Sequence, residues 1–271
     1  MTIGSPAPSR PLKLPLTERQ RARFLARTRR LPSRDLIEAD LKSPQFLIDS
    51  NGPLAVYWCP ADPPVRVNRR TQVILVGVTP GAEQARLALQ VARDALHSNS
   101  TVSYTDVCRR ANRGAAFAGM RDQIVEWLDE LGIQERLRIP SCSSLFNEES
   151  ELLAVTSAVR YAVFIHGKNY NGYAGGRVTQ PFLLRYIDTL LSDAVRRVPN
   201  ALIVPLGKVA EKAVRHLVEC ADVDADRVLA GFPHPSPANG WRFSLWDENR
   251  LSLDGQVNRW FRNKAARGHR R

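Results

Sequence analysis

The sequence predicts an α/β protein built on a small, mostly parallel sheet covered on both faces. Two observations predict it. Short, continuous apolar runs recur along the middle of the chain, as in strands buried on both faces. Between them lie stretches with apolar residues at helical spacing, and strands that alternate with helices pair most readily in parallel.

The elements follow in order. Thr17-Glu18-Arg19-Gln20 has the form of a capping box, so a basic helix is expected from there to about Arg29. Gln72 to Gly77 (QVILVG) is the first buried strand. Ala82 to Leu96 carries Ala85, Leu89, Ala92 and Leu96 at helical spacing. Met120 to Leu131 repeats the pattern, and Gly132 stops it. A short strand is expected near Leu137 to Pro140, and Tyr161 to Ile165 (YAVFI) is another apolar run. Pro181 to Val195 reads as a helix, with proline favourably placed in its first turn. Ala201 to Leu206 reads as a strand, Lys208 to Cys220 as a helix, and Arg227 to Phe232 as a strand.

A chain of 271 residues can bury a substantial core as one large domain. The expected division is a basic extension over residues 1–35, a domain over 36–258 and a basic tail over 259–271. With 44% hydrophobic and 24% charged residues, this is a globular rather than a disordered composition. The net charge of +12 points to a polyanionic partner, most simply nucleic acid. Nine basic residues lie between Arg10 and Arg34, and six between Arg259 and Arg271. Such runs are either solvated ends or DNA contacts. No apolar run approaches the roughly 20 residues that span a bilayer. The proline-rich start, Met1 to Leu16, lacks a signal-peptide core, so a cytoplasmic protein is expected. Cys59, Cys108, Cys142 and Cys220 are far apart and read as buried reduced thiols rather than metal ligands.

Two loops at strand ends stand out, because ligand sites in such sheets lie beyond the carboxyl ends of the strands. The first is Gly77-Val78-Thr79-Pro80-Gly81, where glycine lets a ligand approach the backbone and proline stiffens the turn. Alone it is also an ordinary strand-to-helix turn. The second runs from Phe232 to Arg242 (FPHPSPANGWR) and clamps His234 between prolines. Rigid placement is what electrostatic catalysis requires.

In this order and spacing the two loops resemble motifs of the uracil-DNA glycosylase superfamily, whose first motif is G-x-x-P-G or G-x-D-P-Y. Its last is H-P-S followed by a minor-groove wedge. Similarity is greatest to the iron–sulfur-containing, family-4-type enzymes. Gly114 to Gly119 (GAAFAG) looks like that family's G-x-P-F-V-G segment. Pro181 to Arg185 and Ala201 to Ala213 look like its R-P-x-L-x-x-Q helix and V-I-V-A-L-G-x-x-A unit. The resemblance covers roughly Gln72 to Arg242.

It implies a three-layer α/β/α fold and hydrolysis of the N-glycosidic bond of a nucleotide flipped out of DNA, a step that costs a few kcal/mol of unstacking. It further implies that His234 stabilises charge on the departing base, that Phe117 stacks on that base, and that Gly77, Val78, Thr79, Pro80 and Gly81 shape the pocket and position water. Gly207, Lys208, Pro235, Ser236 and Pro237 would hold phosphates. Ala238, Asn239, Trp241 and Arg242 would fill the gap in the duplex, Trp241 as the wedge.

Four departures bear on the substrate. The cluster cysteines have no counterpart, so no cofactor is carried over. Thr79 stands where relatives have aspartate, asparagine or alanine and Val78 where the family-4-type enzymes have glutamate, leaving Glu83 one helical turn on as a substitute; a glutamate there is more often a helix-dipole residue. Where uracil enzymes read the pyrimidine edge with asparagine, the matching stretch is Ile139 to Ser144, with Ser141 and nearby Asn147 as candidates. Two segments look inserted: Ala82 to Arg113, and the polar loop from His166 to Tyr173, whose His166, Asn169 and Asn171 would recognise a larger, polar base.

The expectation is therefore a monofunctional glycosylase for a damaged or modified base, including modified bases of phage DNA, with DNA as partner and no metal, membrane or obligate protein partner. The alternatives are a repair enzyme for uracil or deaminated bases, and a catalytically silent nucleic-acid-binding member.

Overall fold

The computed structural model describes residues 13–60, 70–99, 101–172 and 177–268, with side chains as far as Lys264. Arg10 and the rest of the start before residue 13, Tyr173 of the polar loop, and residues 269–271 of the basic end lie outside the described residues. In chain order the elements are α1 (Glu18–Arg29), α2 (Glu38–Leu41), β1 (Leu47–Asn51), β2 (Leu54–Tyr57), β3 (Val73–Gly77), α3 (Ala82–Ser98), α4 (Tyr104–Ala115), α5 (Arg121–Glu130) and α6 (Ile133–Leu137). There follow β4 (Leu153–Ser157), β5 (Ala162–Ile165), β6 (Lys168–Asn169), α7 (Pro181–Tyr186), α8 (Ser192–Arg196), β7 (Leu202–Pro205), α9 (Lys208–Glu219) and α10 (Arg242–Gly268). A π-helical turn, Ile187–Leu191, joins α7 to α8.

The chain forms two compact units: residues 1–63, 79–116 and 159–190 in one, and 64–78, 117–158 and 191–271 in the other. The second holds an all-parallel sheet of order β4-β3-β7, with Gly77 paired to Ser157 and Val76 to Pro205. Every residue of β3 and β7 is buried, so both faces of this sheet are covered and the protein is α/β with a three-layer arrangement. The apolar stripe of α9 (Val209, Ala210, Ala213, Val214, Leu217) and that of α10 (Trp246, Leu253, Val257, Trp260) are buried.

The helices expected from periodicity at 17–29, 82–96, 120–131, 181–195 and 208–220 are present, and Gly132 ends α5 in a left-handed conformation at φ 64°. The strands fared differently. No strand forms near Leu137 to Pro140: α6 occupies its start, Arg138 is left-handed at φ 59°, and Ile139 donates its N–H to Gln134 O. Arg227 to Phe232 makes one parallel bridge, Val228 to Ile203, and then leaves the sheet. Side chains replace the missing strand neighbour. Gln256 exchanges two hydrogen bonds with the Ala230 backbone, Glu211 accepts from Gly231 N at 2.8 Å, and Asn249 donates to Gly231 O at 2.9 Å.

The first unit contains a four-stranded antiparallel sheet of order β1-β2-β5-β6. The run from Tyr161 to Ile165 thus builds an antiparallel strand, not part of the parallel sheet. A strand buried on both faces reads as one apolar run whichever way its neighbours point. Cys59, Cys108 and Cys142 are buried thiols, but Cys220, at the C-cap of α9, is exposed. As far as it is described, the basic end is helical, being part of α10, with Arg259 and Arg262 exposed. Lys264 bonds Gln72, and Asn263 bonds Asp226 at 2.9 Å. Among the described residues, no helix is long and apolar enough to cross a membrane.

Candidate functional site

His234 sits in a loop fixed by its own hydrogen bonds. Its loop leaves the sheet edge between two buried prolines, Pro233 and Pro235. Ser236 N donates to His234 Nδ1 at 3.2 Å, Asn239 Nδ2 donates to His234 O at 3.1 Å, and Ala238 N donates to Ser236 Oγ at 3.2 Å. Because Nδ1 accepts, the neutral ring carries its proton on Nε2. Nε2 has no partner among the described residues. Burial lowers the imidazole pKa below its usual 6.5, so the ring is neutral at pH 7.

Gly207, at the end of β7, makes this seat possible. Its φ is +85°, and a Cβ there would lie 2.8 Å from His234 Cβ. Its N–H donates to Phe232 O at 3.0 Å. Only glycine meets both demands. The sequence assigned Gly207 to phosphates; what the structure gives it is contact with the histidine loop. Lys208 beside it is exposed at the start of α9.

In the same unit, Gly77 ends β3 with Phe117 and Ser157 against it. A Cβ on Gly77 would sit 3.3 Å from Phe117 Cε1 and 3.5 Å from Ser157 Oγ. Phe117 is only 5% exposed and has φ +52°, rare for an aromatic residue and costing roughly 1–3 kcal/mol unless its surroundings enforce it. That backbone turn follows the end of α4 and directs the ring onto Gly77. Ser157, not the stretch Ile139 to Ser144, lies at the carboxyl end of the strand beside β3. Ser141 Oγ instead donates to Asp129 Oδ2 at 2.7 Å, and Asn147 donates to Ser143 O at 3.2 Å, so both belong to a surface 3₁₀ segment. Sequence reasoning missed Ser157; its signal was the apolar run Leu152 to Val155 running into Thr156-Ser157.

After the histidine come the residues expected to fill a gap in DNA. Pro237 and Ala238 are exposed, and Ser236, Asn239 and Arg242 are half-buried. Arg242 Nη1 lies 3.4 Å from both Pro237 O and Asn239 O, and its guanidinium sits 4.4 Å from the Phe243 ring centroid. Trp241 is 76% exposed. Underneath, Trp127, Phe232, Phe243 and Trp246 form an aromatic cluster, with Trp127 and Trp246 stacked at 4.9 Å.

In the other unit the first loop continues through Thr79, Pro80 and Gly81. Thr79 Oγ1 donates to Tyr161 O at 2.7 Å and accepts from Val163 N at 3.0 Å. Its hydroxyl proton is therefore committed to Tyr161 O, just before β5, rather than to the water that this loop is expected to position. Glu83 points away as well. Its side chain is 71% exposed and pairs with Arg86, which holds the carboxyl below the usual range. It is the helix-dipole residue, not a replacement carboxylate.

The polar loop is a two-residue hairpin turn, His166-Gly167, with φ +47° and +73°. His166 is exposed at the tip, and its N–H donates to Pro53 O. The returning strand carries Asn169 back along β5, and its Oδ1 accepts from Ala82 N at 2.9 Å, capping α3. Asn171, two residues on, is exposed. The hairpin thus separates His166 from Asn169 and Asn171, which the sequence had grouped.

No protein-family model matches the chain. No solved structure matches it. The chain is 32% identical over 236 residues to the uncharacterized protein YoxB of Bacillus subtilis (strain 168), a match that covers 86% of this chain and 90% of that one. Identity of that level along nearly the whole of both chains means that this chain belongs to the family of YoxB.

Proposed function

We propose that the protein is a monofunctional DNA glycosylase for a flipped damaged or modified base, as its resemblance to the uracil-DNA glycosylase superfamily implies. The observation that carries the reading is His234, a neutral imidazole with Nδ1 occupied and Nε2–H left to donate. In the reaction the C1′–N bond breaks and its electron pair leaves with the base. Water adds hydroxide to C1′, and its remaining proton ends on the base. A fixed N–H donor aimed at the base oxygen stabilises the negative charge as it develops, and a neutral ring does so without giving up its proton. Phe117 would offer its ring to the extruded base and Trp241 would replace it in the stack.

No carboxylate supports the cation-like sugar in this reading, since Glu83 faces solvent and Thr79 is engaged. That favours a base that leaves readily or is gripped by extra polar groups, such as a modified base of phage DNA, over uracil. With DNA as its substrate, a cytoplasmic protein is part of the same proposal. The test is mass spectrometry of bases released from a panel of duplexes, each with one modified base, with alkali-labile breaks as a second readout. Release from at least one duplex is expected. His234→Ala should slow it by roughly 10²–10³ with DNA binding retained. Undiminished turnover in that variant would remove His234 from the mechanism. Binding without release from any substrate would favour a silent member of the superfamily.

A further inference from the structure

The reading above leaves α1 unused, although α1 is a firmly anchored helix. Thr17 and Gln20 close a capping box at its start. Phe24 stacks on Trp58 at 4.9 Å and 3°, Arg21 lies 5.4 Å from the Tyr104 ring centroid, and Arg27 bonds Gln45 O. His97 Nε2 lies 2.8 Å from Arg29 O at the other end.

The opposite face is an arginine stripe. At about 100° per residue, Arg19, Arg23 and Arg30 fall within about 40° of one another, spread over about 16 Å of helix. All three are exposed, and none has an ion pair or hydrogen bond from its side chain among the described residues. On the stripe between them the exposed residues Ala22 and Ala26 are small, and exposed Arg29 lies about 80° off it, so among the described residues of this helix nothing bulky keeps a polyanion from the guanidinium groups. Glu18, the one acid of α1, lies about 100° off the stripe. Burial first, and the charge of Arg23 second, hold the pKa of Arg27 below its usual value, as like charges crowd this helix.

We infer that α1 is a backbone clamp for duplex DNA, with Arg19, Arg23 and Arg30 each reaching a phosphate. The inference rests on the DNA reading proposed above. Arginine binds phosphate through its planar fork, and each neutralised phosphate releases counterions, giving a salt slope of about −0.9.

The experiment compares the full chain with R19Q/R23Q/R30Q by fluorescence polarisation on an unmodified DNA duplex across a salt titration. The slope magnitude should fall by about 2.7, which is up to about 500-fold weaker binding near 0.1 M salt if affinity at 1 M is unchanged. The thermal unfolding midpoint should not move. R196Q/R197Q/R250Q, exposed elsewhere, should change the slope by much less. Equal slopes for wild type and the α1 variant would overturn the inference. So would an equal loss in the control, or an equal loss on polyglutamate, which would mark a general acidic-polymer surface. Reduced slope without base release from any substrate would keep the clamp and sink the glycosylase reading. Base release with an unchanged slope would do the reverse.

Discussion

The loop that carries His234 and the loop that carries Thr79 both follow apolar strands and both are stiffened by proline and glycine, yet they are held in opposite ways. The histidine loop is pinned by its backbone and by Gly207, and among the described residues the His234 side chain is hydrogen-bonded only through Nδ1. Its Nε2–H has no partner among the described residues. The threonine loop is pinned by its functional group: Oγ1 of Thr79 both donates and accepts. What the difference teaches is that a polar side chain in a site loop is available for catalysis only if something else builds the loop. Glycines make the same point. Gly207 is demanded by a left-handed φ and by His234, whereas Gly81 has an ordinary φ of −68° and only Asn169 Nδ2, at 3.9 Å, near its missing Cβ.

Breaking the seat of the histidine loop should have the largest effect. Gly207→Ala forces a Cβ to 2.8 Å from His234 Cβ. Base release should fall about 10²-fold, as expected of a misplaced catalytic group. Backbone strain should cost roughly 1–3 kcal/mol in denaturant unfolding. Normal turnover in this variant would mean the histidine seat tolerates displacement. Thr79→Val should come next, losing roughly 1–3 kcal/mol of stability because Tyr161 O and Val163 N lose their partner, while Thr79→Ser stays close to wild type. Turnover should fall only as far as stability does. A stable Thr79→Val protein that cannot release base would return the hydroxyl to the mechanism.

A smaller effect should be seen with pH. The folded pKa of His234 lies below its unfolded value, so between the two the unfolded chain binds more protons and stability rises with pH. Stability should thus drop as pH falls below about 6.5. His234→Ala should lose that component of the slope, and identical pH profiles would place the titration elsewhere. The smallest effect is expected for Gly81→Ala, within about 0.5 kcal/mol of wild type. A large loss there would erase the contrast between the loops.

Much of this was legible in one dimension. The capping box at Thr17, the 3.6-residue spacing of α3, α5 and α9, and the stop at Gly132 are local properties, and local geometry honoured them. The strands were less legible. The short strands β1, β2 and β4, of four or five residues, carry too few positions for a period to show, and β5 gave no sign of its direction. Arg227 to Phe232 looks like a strand, but Gln256, Glu211 and Asn249, distant in sequence, satisfy its backbone instead.

The sequence by itself determined the α/β class, the helical periods, the excess positive charge and the rigid proline frame around His234, because each depends on composition or on neighbours a few residues away. Only the tertiary structure decided which polar groups remain free. Thr79 was spent on β5, Glu83 was turned to Arg86, Ser157 was set beside Gly77, and His234 kept one donor. Availability is settled by hydrogen-bond partners that come from far along the chain, and a string of residues does not list those partners.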